Sequence, residues 1–240
     1  METWNGFEKT EFTFEGKKAI LVFPKKADEK KNWMIKTEYW GAFPERETDL
    51  LNKGFHLAYL QNDSRFATKE ECDRRARFVD FMTEKYALRD KCVLVGMSCG
   101  GAHAVNFAGF YPDKVACIFI DAPVLNFCDF PGRMGDGECE KVWENEFVKA
   151  YPGITRGKLL NFDNHPIGKI EVLKKHKIPI LMMYGTEDQT VNYNMNGRLL
   201  EEEYDNSLLC IIKRQCQGHH PHGYCYDSEP ITEFILNACK

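Results

Sequence analysis

The feature that most constrains this chain is a Gly-x-Ser-x-Gly motif at residues 96–100, which lies between two apolar runs. The run before it, at 93–95, is typical of a buried strand, and the alanine-bearing run that follows has helical spacing. The motif therefore predicts a strand, a sharp turn and a helix, with Ser98 at the apex of the turn in a strained backbone conformation.

The two glycines of the motif have a predicted steric role. A side chain at Gly96 or Gly100 would collide where strand and helix pass closely. The turn would lift the Ser98 hydroxyl out of the sheet and direct the N–H of Cys99 toward the position of a developing oxyanion. Since glycine turns with a merely solvated serine share this motif, a carboxylate and a histidine in matching positions are needed to separate the two interpretations.

The composition limits the classes of partner. The chain has 240 residues, 43% hydrophobic and 13% aromatic, which is ordinary for one large or two small globular domains. A formal net charge of −4 argues against a nucleic-acid partner. No apolar run approaches a membrane span, and the N-terminus lacks the pattern of a signal peptide. We expect a cytoplasmic protein that binds neither nucleic acid nor a membrane. A homo-oligomer remains possible.

Ten cysteines are scattered along the chain without a Cys-x-x-Cys pair. Most lie within apolar runs, where a reduced cysteine behaves as a small buried hydrophobe. Without an export signal, free thiols are the default. We therefore expect neither disulfides nor a structural zinc site.

Strand and helix patterns alternate along most of the chain. A capping box from Thr68 to Glu71 opens one helix, and a short helix with a glycine stop is predicted at 49–54. The alternation indicates an α/β fold with a mostly parallel sheet and a site at the carboxyl ends of its strands. An antiparallel hairpin lies at the edge. Eight strands are predicted, at 11–15, 18–24, 32–40, 55–60, 93–95, 115–120, 179–185 and 208–212.

One segment, 124–176, interrupts this alternation because it contains no good strand. Trp143, Phe147, Val148 and Tyr151 follow helical spacing, and a turn-rich stretch precedes them at 131–137. We interpret the segment as a mainly helical cap within a single domain of residues 1–240. Such a cap would shape a substrate pocket and exclude water, and its aromatic residues need a surface to face.

A carboxylate follows the predicted strand 179–185. A serine hydroxyl needs a base, and the base needs an orienting acid. Asp188 lies on the loop after this strand, where a carboxylate could orient a histidine. It could also simply form a turn. Glu187 and Asp121 are competing acids.

The last predicted strand is followed by a glycine and three histidines, His219, His220 and His222. The cluster raises a metal hypothesis, because imidazole suits zinc or copper. Against it, adjacent histidines do not easily point at one ion, and no acid or thiol is spaced to complete a four-ligand set. We therefore expect no metal and no cofactor.

The order Ser98, Asp188, His219 accompanies this type of turn in α/β-hydrolases. The chain resembles serine hydrolases of the α/β-hydrolase fold over nearly its whole length, and in particular bacterial members of uncertain substrate. The resemblance rests on Trp-Gly-Ala-Phe-Pro at 40–44, Gly-Met-Ser-Cys-Gly-Gly at 96–101, Asp-Ala-Pro-Val at 121–124, Gly-Thr-Glu-Asp at 185–188 and Gly-His-His-Pro-His at 218–222.

The resemblance implies roles for these residues. Ser98 would attack, His219 would take and return the proton, and Asp188 would hold His219 in the useful tautomer. His219 is favoured because the base in many such hydrolases directly follows the glycine; His220 and His222 remain alternatives.

The same resemblance implies an oxyanion hole formed by the N–H of Cys99 and one from the loop after the third strand. Gly41 or Ala42 would supply the second N–H, although this loop departs from the His-Gly-Gly-Gly form of many lipases. Residues near the site could wall a pocket for the acyl group; the candidates are Trp40, Phe43, Trp143 and Phe147.

The resulting hypothesis is a serine esterase that cleaves a small-molecule ester by acyl transfer. A serine peptidase of the same fold is the enzymatic alternative, because amide and ester hydrolysis share this triad. A non-catalytic binding protein that uses the capped pocket is the other.

Overall fold

A computed structural model describes residues 2–222 and 228–240 of the chain. The described residues form one nine-stranded sheet flanked by helices. Its strands are β1 (Glu2–Trp4), β2 (Phe7–Phe14), β3 (Lys17–Val22), β4 (Trp33–Lys36), β5 (His56–Leu60), β6 (Cys92–Met97), β7 (Val115–Asp121), β8 (Ile180–Gly185) and β9 (Leu209–Arg214).

The sheet is mostly parallel, which confirms the predicted fold class. The strand order is β1-β2-β3-β5-β4-β6-β7-β8-β9. The strands from β5 to β9 in this order pair in parallel. The first three strands and their junction with β5 are antiparallel, as expected for an edge hairpin.

The number of strands differs from the predicted eight because β1 is an extra edge strand. It pairs with β2 across a tight turn at Asn5 and Gly6, whose φ angles are 47° and 81°. Asn-Gly is the strongest short-range hairpin signal, since both central residues of a type I′ turn need positive φ. The signal is present in the sequence, but the flanking strand has only three residues.

The predicted strand at 32–40 is also corrected. Strand β4 ends at Lys36, and the chain then turns, with φ angles of 55° at Tyr39 and 82° at Gly41. Positive φ is incompatible with a strand. The residues from 37 onward therefore form a loop at the carboxyl edge of the sheet, next to Ser98.

The helices cover both faces of the sheet. The capping box of Thr68 and Glu71 is present as predicted, whereas the helix predicted at 49–54 begins earlier, at Glu45. Among the described residues, no helix has both the length and the hydropathy that a bilayer span requires. The helices are α1 (Glu45–Asn52), α2 (Lys69–Tyr86), α3 (Cys99–Phe110), α4 (Gly137–Val142), α5 (Val148–Ala150), α6 (Arg156–Leu159), α7 (Ile170–Lys175), α8 (Gly197–Glu203) and α9 (Glu229–Ala238).

Both faces of the central strands are buried. In β6, Leu94 belongs to the cluster that packs against α2 and α3, whereas Val93 belongs to the cluster that packs against α1 and α9. Alternate side chains of one strand thus enter two apolar layers, so the strand is apolar throughout rather than alternating. The sharp turn at the carboxyl end of β6, which carries Ser98 and is called the elbow below, therefore follows a strand that is packed on both faces.

The segment between β7 and β8 is helical and contains no strand; the structure describes all of its residues. Phe127, Trp143, Phe147 and Leu159 form an apolar cluster with Ala102 of α3. The cluster therefore rests on the helix that follows Ser98. Helix α7, at the end of the same segment, packs into the main core through Ile170 and Leu173.

Candidate active site

Ser98 lies at the turn between β6 and α3 with φ 52° and ψ −121°. This left-handed conformation is strained for a residue with a side chain. A Cβ on Gly96 would lie 2.4 Å from the carbonyl oxygen of Gly100, and one on Gly100 would lie 3.0 Å from Thr37 Oγ1. At Gly96 the predicted close approach of strand and helix is present, whereas Gly100 faces Thr37 and Glu38 on the loop after β4, at a less severe distance.

Backbone hydrogen bonds hold this strained residue. The N–H of Ser98 donates to the carbonyl oxygen of Asp121 at 2.9 Å, and the Ser98 carbonyl oxygen accepts from Val124 at 3.0 Å and Gly101 at 2.9 Å. These bonds to the end of β7, to the segment after it and to the first turn of α3 hold Ser98 in place. A strained residue persists when its surroundings fix it in this way. The hydroxyl is thereby fixed above the sheet.

The structure brings together the three residues of the predicted triad. His219 Nε2 lies 3.1 Å from Ser98 Oγ, and His219 Nδ1 lies 2.7 Å from Asp188 Oδ2. Because an ionised carboxylate only accepts hydrogen bonds, the proton belongs on Nδ1, and Nε2 is left as the acceptor that faces the serine.

Asp188 is held in its ionised form. Its Oδ1 accepts hydrogen bonds from the N–H groups of Thr190 and Val191, both at 2.9 Å. Burial acts to raise the pKa of this carboxyl, but the bonds from His219, Val191 and Thr190 outweigh burial and leave the pKa below its ordinary value. The acid is therefore charged at neutral pH and aligned with His219.

The two competing acids have other positions. Glu187 is exposed on the same loop. Asp121 is buried at the end of β7 and lies 3.1 Å from Arg214 Nη2 and 3.4 Å from His222 Nδ1. Neither is the carboxylate on His219. The structure thus favours Asp188 among the three acids considered from the sequence.

The three histidines form a compact cluster, but of the three only His219 contacts both Ser98 and Asp188 within the described residues. Their ring centroids are 4.7–4.8 Å apart. Partial desolvation, together with the neighbouring imidazoles, lowers the pKa of the largely exposed His220. Phe43 stacks on His220 with a centroid distance of 5.9 Å and meets His222 edge-on at 5.5 Å.

A cavity of about 430 Å³ opens above Ser98, a size suited to a small molecule. Phe43 lines it as predicted, and so does Ala42. Sequence reasoning missed several walls: Tyr39 is on the loop that was taken for a strand, and Arg65 and Phe130 carry no motif. The described residues lining it are Tyr39, Ala42, Phe43, Arg65, Met97, Ser98, Phe130, Glu138, Thr190, His219, His220 and His222.

The other predicted walls lie elsewhere. Trp40 packs between Trp4 and Tyr59, with centroid distances of 5.2 and 5.4 Å. Trp143 and Phe147 stack on each other at 5.1 Å inside the cap. Large apolar side chains gain most by complete burial, and helical spacing alone does not tell which aromatic residue turns toward a cavity. The structure thus removes all three from the cavity lining.

The candidate oxyanion donors are the backbone N–H groups of Cys99, at the start of α3, and of Gly41 or Ala42, on the loop after β4. Cys99 is the first residue of α3 and is fully buried, so its candidate contribution to the site is the backbone N–H rather than a reactive thiol. The N–H of Ala42 donates to the carbonyl oxygen of Tyr39 at 3.1 Å, which closes a turn. That bond counts against Ala42 and leaves Gly41 as the candidate for the second donor.

A buried ion pair holds this loop. Lys36 Nζ donates to Glu47 at 2.6 Å and to the carbonyl oxygen of Ala42 at 2.5 Å. The side chains of Lys36 and Glu47 are 1% and 0% exposed. A pair so well shielded is costly to break, because either partner alone would leave an uncompensated charge. The loop that carries Gly41 and Phe43 is therefore fixed to β4 and α1.

A second ion pair joins the loop after β5 to the helical segment between β7 and β8. Arg65 donates to both carboxylate oxygens of Glu146, at 2.7 and 2.6 Å. Burial opposes the charge of Arg65, but Glu146 outweighs burial and raises the pKa of the guanidinium. Arg65 lines the cavity above Ser98, whereas Glu146 lines a larger, polar cleft of about 570 Å³. The pair therefore separates the two spaces.

Comparisons with known proteins give structural neighbours only. No protein-family model matches the chain, and no curated protein matches it. Est1E from Butyrivibrio proteoclasticus superposes with a TM-score of 0.65 at 17% identity, over 96% of this chain and 98% of that one. A monoacylglycerol lipase from Paleococcus ferrophilus has a TM-score of 0.58 at 16% identity, over 97% and 99%.

A peptidase is also similar in structure. Porphyromonas gingivalis dipeptidyl peptidase 4 has a TM-score of 0.68 at 14% identity and matches 99% of this chain, which spans only 36% of the peptidase. At such identities a likeness establishes the fold and no more. Together with the mostly parallel sheet and the turn at Ser98, it shows that this chain has an α/β-hydrolase fold.

Proposed function

We propose that the protein is a serine hydrolase that cleaves a carboxylic ester through an acyl-enzyme. One observation carries the proposal: His219 lies within hydrogen-bond reach of both Ser98 Oγ and Asp188, beside a cavity. Each of the two contacts has a role in activating a weak nucleophile. Without a base in contact with its hydroxyl, Ser98 would only be a residue of a strained turn and not a nucleophile.

The first half of the reaction follows from these positions. Ser98 Oγ attacks the ester carbonyl carbon while His219 Nε2 takes the hydroxyl proton. The tetrahedral intermediate collapses, the bond to the alcohol oxygen breaks, and His219 returns the proton to the departing alcohol. Asp188 remains ionised throughout and stabilises the imidazolium.

In the second half, a water molecule takes the place of the alcohol. His219 removes its proton as the water oxygen attacks the acyl carbon, and Ser98 leaves with that proton to release the acid. In both halves the N–H of Cys99, with that of Gly41, would stabilise the oxyanion. Removal of one such donor costs about 3–4 kcal/mol in a serine protease that uses them.

The walls of the cavity support a class of substrate. Its apolar walls, formed by Tyr39, Phe43, Met97 and Phe130, suit an acyl or alcohol group of moderate size. Arg65 also faces the cavity, but Glu146 already compensates its charge. We infer a small, mainly apolar ester.

An amide substrate is the second candidate. The same catalytic groups cleave amides, and one cavity residue favours a substrate with an amino group. The Glu138 carboxylate is on the cavity wall and is exposed, so it is accessible to an ammonium group. The structural neighbour dipeptidyl peptidase 4 bears a peptidase name, in line with this alternative.

A fluorophosphonate probe tests the proposal. It should label the wild type at one serine and fail to label Ser98→Ala. Ser207→Ala is a matched control because the Ser207 hydroxyl also contacts a carboxylate, Asp205 at 2.7 Å, but belongs to a surface turn. An unlabelled wild type would leave the pocket as a binding site without catalysis.

Substrate preference is then measured with 4-nitrophenyl esters of increasing chain length and with aminoacyl 4-nitroanilides. We expect kcat/KM to be at least about tenfold higher for the best ester than for the best anilide, which is a transition-state difference of about 1.4 kcal/mol. The reverse ranking would replace the esterase proposal by the peptidase alternative.

A further inference from the structure

The histidine cluster contains more imidazole than the proposed hydrolysis uses. His219 acts as the base, whereas His220 and His222 have no step in it. The three rings stand at the corners of a nearly equilateral triangle, with centroids 4.8, 4.7 and 4.8 Å apart and interplanar angles of 80–84°. Three imidazoles around one tetrahedral or octahedral ion have centroids about 4.5–5.2 Å apart, given metal–nitrogen distances of about 2.0–2.1 Å.

We propose that His219, His220 and His222 form a binding site for a divalent transition-metal ion of the zinc type, and that occupancy of this site blocks the serine hydrolase proposed above. The candidate ligand atoms all lie within 4.8 Å of one another. They need to converge to about 3.3 Å for a tetrahedral ion, a change that rotation of the rings can supply.

Two of the rings have the outer partners that metal-binding histidines use. Such a histidine commonly places its second nitrogen against a carboxylate, which fixes the ring and raises its basicity. His219 Nδ1 contacts Asp188 at 2.7 Å, and His222 Nδ1 lies 3.4 Å from Asp121. In both rings Nε2 is therefore the nitrogen available to an ion.

The surroundings favour a cation. Asp188 and Asp121 carry two negative charges behind the rings, and Arg214, which contacts Asp121 at 3.1 Å, carries one positive charge. The net charge of these three groups is −1. The His222 side chain is only 2% exposed, and its Nδ1 faces Asp121 at 3.4 Å without forming a hydrogen bond among the described residues, so the ring can still rotate toward a ligand.

The positions of two of the rings are also supported by an aromatic neighbour. Phe43 stacks on His220 and meets His222 edge-on. His220 is itself exposed, and it faces the cavity through which an ion would enter. Neutral imidazole selects zinc, copper and nickel rather than magnesium or calcium.

Inhibition follows from the electron pair on His219 Nε2. That lone pair takes the Ser98 proton during catalysis, and it cannot do so while it binds an ion. A bound ion would therefore remove the base without displacing Asp188. The inhibition rests on the proposed function, whereas binding of the ion does not.

Binding is tested first without catalysis. Zn²⁺ is titrated by calorimetry into the full chain with Ser98→Ala, in a background where Cys210, Cys216 and Cys225 are serine. These changes remove the two exposed thiols and the one outside the described residues. We expect one ion per chain with micromolar or tighter affinity, and about 10–100-fold weaker binding in His220→Ala.

The matched control is His176→Ala. His176 is a partly exposed histidine beside Asp113, and its loss should leave zinc affinity unchanged. Binding weaker than millimolar, or equal affinity in His220→Ala and its parent, would overturn the site. His222→Ala is a second variant of the site, used if circular dichroism shows that it folds.

Inhibition is tested on the chain with Ser98 present. Zn²⁺ should reduce ester hydrolysis over the concentrations at which it binds, a chelator should restore activity, and His220→Ala should need about 10–100-fold more zinc. Zinc binding without inhibition would refute the block on the base. A chain without hydrolytic activity would refute the proposed function but leave the calorimetry valid.

Discussion

Two histidines lie on either side of the elbow, in clusters built from similar side chains. His219 contacts an aspartate and the Ser98 hydroxyl beside the cavity. His103, on α3, is fully buried near Glu38, Glu71 and Ser64. Each cluster thus holds a serine, a histidine and an acid. Residue types alone do not distinguish the two.

What each nitrogen faces distinguishes them. His103 Nε2 lies 3.0 Å from the backbone carbonyl oxygen of Ser64, so it is the donor, and Nδ1 faces the Arg75 guanidinium at 3.4 Å. An imidazole whose lone pair faces a permanent cation cannot readily take up a proton. His219 has a carboxylate in the corresponding place. The His103 cluster is therefore suited to a structural role, and the His219 cluster is suited to proton transfer.

The supporting cluster also holds the loop that delivers Arg65. One oxygen of Glu71 accepts from the N–H groups of Asp63 and Ser64 at 2.7 and 2.8 Å, and the other accepts from the N–H of Thr68 at 2.9 Å. Charge-assisted bonds of this kind are stronger than neutral ones. Under the proposed function, the comparison assigns stability to the His103 cluster and reactivity to the His219 cluster.

The largest expected effect separates the two histidines directly. His219→Ala should lower kcat/KM for the best ester by roughly 10⁵-fold, because members of a triad act as a unit. His103→Gln keeps a donor for the Ser64 carbonyl group and should change kcat/KM by less than about tenfold.

Both variants are assayed with the same ester, after circular dichroism has shown that they fold. Equal losses in two folded variants would contradict the division between a reactive and a supporting histidine. So would an active His219→Ala variant, which would return the role of base to His220 or His222.

The next effect sharpens the part played by the acid. Asp188→Asn should lower kcat by roughly 10⁴-fold, because an amide at this place favours the wrong tautomer of the base. Glu187→Gln, on the same loop but exposed, is the matched control and should leave kcat within about twofold of the wild type. Steady-state kinetics of the two variants would show which of these two neighbouring carboxylates orients His219.

A larger loss in Glu187→Gln than in Asp188→Asn would move the orienting role to the exposed acid. Loss of the fluorophosphonate label in Asp188→Asn is also expected, since serine reactivity depends on a correctly oriented base.

The local parts of the site could be predicted from the sequence. A Gly-x-Ser-x-Gly motif has one common structural solution, and Asp188 and His219 follow predicted buried strands. Parallel strands bring their carboxyl ends to one edge, so residues 90 or more positions apart in the chain converge there. This convergence could be predicted from the order of strands and helices alone, without detailed geometry.

The walls of the cavity could not be predicted in the same way. Trp40 lies on the loop after β4, yet it packs on Trp4 rather than lining the cavity, in a stretch where Tyr39 and Gly41 both have positive φ. Whether a residue other than glycine takes positive φ depends on tertiary contacts that no local pattern reports. Arg65 likewise reaches the cavity only because Glu71 and Glu146 hold its loop and its side chain.

The smallest expected effect concerns stability and pH. Burial together with the nearby Arg75 lowers the pKa of His103 below its ordinary value, while Glu71 opposes the shift. As the pH falls below about 6.5, the unfolded chain takes up a proton that folded His103 does not, so the free energy of unfolding decreases. The largest slope for one such group is about 1.4 kcal/mol per pH unit.

His103→Gln lacks this contribution, so the wild type should lose about 1 kcal/mol more than the variant between pH 7.5 and 5.5. Urea denaturation at both pH values measures the difference. Burial raises the pKa of Glu38, which acts with the opposite sign but is present in both proteins and largely cancels. Parallel losses would mean that folded His103 takes up the proton after all, and the cluster would then hold a charged histidine beside Arg75.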